Sequence, residues 1–129
     1  MNIEVTFGSG KKVNASVNNF EIKTDQSPAS GGEGSAPEPF TLFMASIATC
    51  AGIYVKSFCD QRGIASDNIK LIQNSHFNQG KRLIDRIDIE IQLPSDFPDK
   101  YKEAVIKSAN LCTVKKHLHN PPEIMVTTN

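Results

Sequence analysis

From Pro39 to Gly63 the chain carries Leu42, Phe43, Met44, Ala45, Ile47, Ala48, Ala51, Ile53, Tyr54, Val55 and Phe58, with no charged residue before Lys56. Apolar residues around nearly the whole circumference, not in one stripe, predict a helix from Phe40 to about Gln61 that must be covered on all sides. Pro39 suits the first turn of that helix and Gly63 the position just past its end. A helix of this kind is about 30 Å long, and a chain of 129 residues has little left with which to surround it. Either the sheet wraps it closely or a second copy covers the rest, and an intimate homodimer is the expectation. Lys56 and Asp60 interrupt the run, so a membrane span is not expected.

Before the helix the apolar residues recur with period two: Ile3, Val5, Phe7, then Val13, Ala15, Val17, then Phe20, Ile22. Turn residues separate them, Gly8-Ser9-Gly10 and Asn18-Asn19, both tolerant of positive φ. Three antiparallel strands follow from this. Residues 25–37 are rich in Ser, Gly and Pro and read as a mobile loop. Their Gly31-Gly32-Glu33-Gly34 is not followed by the Gly-Lys-Ser/Thr of a phosphate loop, so a flexible connection is the simpler reading. After the helix, Ile69–Phe77 and Leu83–Leu93 read as two strands around Asn78-Gln79-Gly80, the second alternating Ile87, Ile89, Ile91, Leu93 with Asp88, Glu90, Gln92. Ser95-Asp96 before Pro98 marks a second helix, in which Tyr101, Ala104, Val105, Ser108, Ala109, Leu111 and Cys112 share one face. Pro121-Pro122 ends the pattern and Ile124–Thr128 reads as a last strand. The fold class is α+β, β-β-β-α-β-β-α-β with a long buried central helix, in one domain over residues 1–129.

Charge excludes some functions. Lys and Arg total 14 and Asp and Glu total 14, so no basic surplus points to nucleic acid. The opening Met1-Asn2-Ile3-Glu4-Val5 lacks the pattern of a signal peptide, and three cysteines are too few for a disulfide framework. A cytoplasmic protein with free thiols is expected. What the thiols do is the question.

Cys59 lies half a turn out of phase with Cys50 at ~100° per residue, so the two cannot face one pocket. Asp60 beside it disfavours a thiolate, and Cys59 reads as a packed bystander. Cys50 and Cys112 each lie on an apolar helical face, and those faces meet if the helices pack. On composition alone a buried structural cysteine is the simpler reading of each. A reactive thiol needs a lowered pKa, which a mid-helix position does not supply. Lys56 is badly phased for Cys50, whereas Lys115, Lys116, His117 and His119 lie near Cys112. Cys112, His117 and His119 match no standard zinc spacing, so no metal is expected. His76 in its strand reads as a satisfied histidine. No Ser-His-Asp elbow, carboxylate dyad or dinucleotide fingerprint is present, and no cofactor is expected.

Pro39-Phe40-Thr41-Leu42-Phe43-Met44-Ala45-Ser46-Ile47-Ala48-Thr49-Cys50 resembles the Pro-x-x-Leu-(x)-x-Ala-x-x-x-x-Cys helix of the OsmC/Ohr family. A second thiol follows about sixty residues later in Leu111-Cys112-Thr113-Val114, and the element order is similar over nearly the whole chain. The resemblance implies an intertwined homodimer with its sites at the subunit interface. It also implies reduction of organic hydroperoxides, with Cys50 the peroxidatic thiol, Cys112 the resolving one, and a dithiol as reductant. An apolar surround suits lipid or aryl hydroperoxides better than hydrogen peroxide. The chain departs from the catalytic pattern in three places, one being Thr113 and Lys115, which stand where a Pro and a Ser often follow the second cysteine. Phe40 and Thr41 stand where a Glu should follow the helix-start proline, leaving Glu38, just before it, as the candidate acid. No arginine occurs before Arg62. The alternative is therefore a non-catalytic stress protein of the same fold that binds an apolar ligand at the dimer interface.

Overall fold

The computed structural model describes residues 1–129, which form two compact units, Met1–Ala45 and Ser46–Asn129. The first holds strands β1 (Ile3–Phe7), β2 (Val13–Val17) and β3 (Phe20–Thr24) in an antiparallel meander. The register pairs Val5 with Ala15 and Ala15 with Ile22, which gathers the period-two residues on one face. The turns use the positive φ anticipated for them, 61° at Gly10 and 53° at Asn18.

Residues 25–37 are not a mobile loop. Asp25, 1% exposed, anchors them: its carboxylate accepts from the N–H of Gln26 at 2.8 Å, Glu33 at 3.3 Å and Ser35 at 3.1 Å, and from the Ser35 hydroxyl at 2.6 Å. Those donors hold the carboxyl down at about 2, the Ser35 hydroxyl contributing most. Periodicity misses this order because it comes from side chain to backbone bonds, the usual device of Asp in turns.

Helix α1 runs Pro39–Asp60, beginning in the first unit and continuing through the second. Gly63, at φ 64°, follows it as expected of a C′ glycine. Within the chain only one stripe is buried, Ile47, Ala51, Val55, Phe58 and Cys59, while Phe40 and Ile53 are 54% and 57% exposed. By length and composition α1 is apolar enough to cross a membrane, with a mean hydropathy of 1.5. Its uncharged run nonetheless covers only residues 39–55, short of the roughly 18 of a membrane span, because it ends at Lys56, which pairs with Asp60 at 2.5 Å.

The second unit adds the hairpin β4 (Lys70–Asn78) and β5 (Leu83–Gln92), α2 (Lys102–Ala109) and α3 (Thr113–His119). Its core clusters Val55, Phe58 and Cys59 of α1 with Phe97 and Val105. Arg62 lies over the Phe58 ring at 3.6 Å, covering the edge of this core. Two expectations fail here. The second helix is not continuous: Cys112 leaves helical geometry at ψ 124°, so the apolar periodicity spans two short helices. Residues 121–129 form no strand. Ile124, Met125 and Val126 are 83%, 77% and 92% exposed, and a strand without a neighbouring ladder has no partner for its backbone.

Candidate functional site: a thiol pair at the start of α3

Cys50, Cys112 and the groups around them lie in the second unit. Cys50 is half-buried in α1 and Cys112 is buried, 2% exposed. The two thiols lie close enough to shift each other's ionisation, Cys112 helping to lower the pKa of Cys50 and Cys50 to raise that of Cys112. The Cys112 sulfur also lies 4.0 Å from the Ile47 carbonyl oxygen. Cys112 is the N-cap of α3, its sulfur accepting from the Lys115 N–H at 3.4 Å. The break before α3 thus turns its first amides toward sulfur. Tyr54 fixes the junction: its hydroxyl is 3.2 Å from the Thr113 hydroxyl and its carbonyl accepts from Ser108 at 3.2 Å.

This geometry separates the two thiols chemically. Burial opposes ionisation of Cys50. The N–H groups of Val114 and Thr113 and the Cys112 thiol together outweigh it, and the Cys50 pKa falls below the ordinary thiol value. For Cys112 burial dominates, the nearby Cys50 adds to it, and the pKa rises despite the Lys115 N–H. Cys50 is thus the more acidic of the two thiols, which suits it better than Cys112 to a nucleophile's part. Cys59, fully buried, is pushed up by desolvation and by Asp60, as its bystander reading requires.

The charged neighbours expected to help do not reach Cys50. The Lys115 ammonium bonds the Asn110 side chain at 2.5 Å and His117 bonds the Thr113 carbonyl at 2.7 Å. Backbone amides take the place of a cation. Hydropathy alone does not reveal these donors; the signal for them is the break in the helix at Asn110-Leu111. No group of three or more His, Cys, Asp or Glu is placed to hold a metal. His76 bonds Asp88 at 2.7 Å on the exposed hairpin. Glu38 lies in the first unit, its carboxylate accepting from the Ser27 N–H at 3.0 Å.

Beside the pair is an apolar cavity of about 580 Å³, within the range of small-molecule sites. Cys112 forms part of its wall, with Ile47 and Ala51 of α1, Ile87, Ile89 and Ile91 of β5, and Val105 of α2; Lys102 and Lys115 are its basic lining.

A small α+β protein with two unlike thiols in contact is the class that fold and site define. The model of the family described as OsmC-like protein matches residues 32–127, and the chain belongs to that family. No curated protein matches the sequence. Solved structures share the fold. A Psychrobacter arcticus protein named for an osmotic stress induced and detoxification response is 22% identical, with a TM-score of 0.75 over 90% of this chain and 86% of that one. An OsmC like protein from Mycoplasma pneumoniae is 13% identical, with a TM-score of 0.72 over 93% and 87%. The organic hydroperoxide resistance protein OhrB of Bacillus subtilis is 14% identical, with a TM-score of 0.55 over 93% and 90%.

Proposed function

We propose that the chain is a cysteine-based peroxidase that reduces organic hydroperoxides through Cys50 and Cys112. The observation that carries this is the contact between a half-buried thiol lowered by α3 amides and a buried thiol raised beside it. The Cys50 thiolate attacks the O–O bond, forming an S–O bond and releasing the alcohol once the departing alkoxide gains a proton. The resulting sulfenic acid is attacked by Cys112, forming the S–S bond and releasing water. A dithiol then exchanges with the disulfide and leaves as its own disulfide. The aliphatic cavity against Cys112 supports alkyl or aryl hydroperoxides over hydrogen peroxide. The name of the Bacillus subtilis neighbour points the same way.

The remaining assignments belong to this reading. Residues 1–129 act as one domain, in a cytoplasm that keeps its thiols reduced. A second copy covers the exposed face of α1 and the apolar strand residues Ile3, Val5 and Phe7, which are 52%, 51% and 85% exposed. Glu38 is the assigned acid: Glu38→Gln should lower kcat while leaving Cys50 alkylation unchanged. The test of the whole is consumption of cumene hydroperoxide by the reduced protein with a dithiol. Turnover lost in Cys50→Ser supports it, and turnover no greater than that of Cys50→Ser contradicts it.

The absence of arginine before Arg62 favours a second reading, a non-catalytic protein holding an apolar ligand. That reading requires a Cys50 that alkylates no faster than an ordinary thiol, together with an apolar molecule extracted from the purified protein.

A further inference from the structure

The oxidised form of the pair poses an access problem. A dithiol attacks the sulfur that expels the better leaving group, and the better leaving group is the more acidic thiol. Cys50 is the more acidic of the two, so chemistry directs attack to Cys112. Yet Cys112 is only 2% exposed.

Directly after Cys112, its N-cap, comes a short helix held at its start by that cap and by the Tyr54 hydroxyl. None of the residues in α3, Thr113–His119, is buried, and Leu118 is 46% exposed. A helix this short is unstable by itself, and its first N–H groups need acceptors outside the helix. In the reduced protein the Cys112 sulfur supplies one, to Lys115 at 3.4 Å, and the Thr113 and Val114 amides act on Cys50 to lower its pKa. Both sulfurs change on oxidation. Closing the pair to an S–S length of about 2.05 Å moves the Cys112 sulfur that the Lys115 N–H is bonded to. The disulfide is uncharged, and neutral sulfur is a weak acceptor compared with a thiolate.

We infer that formation of the Cys50–Cys112 disulfide uncaps α3, and that the fraying of Thr113–His119 exposes Cys112 to the incoming dithiol. Reduction restores the sulfur acceptors and the helix closes again. The device rests on the redox pair proposed above, but not on the identity of the oxidant. Any two-electron acceptor for thiols serves, taking the two thiol hydrogens as the S–S bond forms.

The experiment therefore makes the disulfide with diamide, which is reduced to its hydrazine, and confirms the bond by non-reducing peptide mapping. Hydrogen exchange is then followed in the full-length protein, oxidised and reduced. The amides of 113–119 should exchange at least tenfold faster in the disulfide form, with those of 47–59 in α1 unchanged. Trypsin should also cut faster after Lys115 and Lys116. In Cys112→Ser, where a hydroxyl keeps the cap and no disulfide forms, diamide should change neither readout. Equal protection of 113–119 in both redox states overturns the inference while leaving the peroxidase reading intact. Uncapping under diamide without hydroperoxide turnover does the reverse. Failure of the bond to form under diamide overturns both.

Discussion

If backbone amides do for Cys50 what a cation does in other reactive thiols, removing one of them should slow Cys50 and nothing else. Thr113 offers the means. It is the first residue of α3, directly after the Cys112 N-cap, and proline is well accommodated at that position because its missing N–H has no helical partner. Cys112, at ψ 124°, already has the extended geometry that a following proline demands. Thr113→Pro therefore deletes the N–H directed at Cys50 while the helix is retained. It also removes the hydroxyl contact to Tyr54 at 3.2 Å, which Thr113→Val removes alone. A hydrogen bond to a charged acceptor contributes about 1.5 kcal/mol, close to a tenfold change in thiolate population. Alkylation of Cys50 by iodoacetamide, read by peptide mass mapping across pH, should be about tenfold slower at pH 7 in Thr113→Pro, its profile displaced to alkaline pH. Thr113→Val should change it by less than about twofold. Equal rates in the two variants would refute the amide account, because only one of them has lost the N–H.

The other predictions concern the frame around the pair. Val105, fully buried in the core of the second unit, should cost about 2–3 kcal/mol on substitution by Ala, from lost transfer energy plus a residual cavity, read as a lower urea midpoint. A Cβ at Gly32 would lie 2.1 Å from the Gln26 carbonyl oxygen and 2.8 Å from Asp25 Oδ1, so Gly32→Ala should strip exchange protection from Glu33–Ser35. Asp25 titrates at about 2 when folded and near 3.9 when unfolded. Its contribution is thus complete above the unfolded value and is lost as pH falls toward the folded one. The loop should loosen between about pH 4 and 2 in the natural chain, and Asp25→Asn should already be loose at pH 7 by the same exchange measurement.

Much of this was legible in the chain. Period-two runs located all five strands within a residue or two, because each presents an apolar face. The wholly apolar stretch gave α1, and wheel geometry separated Cys59 from Cys50. Periodicity carried the second helix through Asn110 and Leu111, since a change of direction does not alter which residues are apolar. The consequence was to place Cys112 on a helical face instead of at a helix start, and the amide donors went unseen with it. Asp25 was missed for a related reason: a loop ordered by one carboxylate has no pattern in hydropathy. Ile124–Thr128 has the composition of a strand, but a strand is defined by its partner, and this chain by itself provides none.

The pairing of Cys50 with Cys112 is tested most directly by a single turnover. Reduced protein receives one equivalent of cumene hydroperoxide without any dithiol, and the products are mapped under non-reducing conditions. The account predicts cumyl alcohol together with a Cys50–Cys112 disulfide, Cys59 remaining a free thiol, and a trapped Cys50 sulfenic acid in Cys112→Ser. An unchanged hydroperoxide with all three thiols free would contradict it.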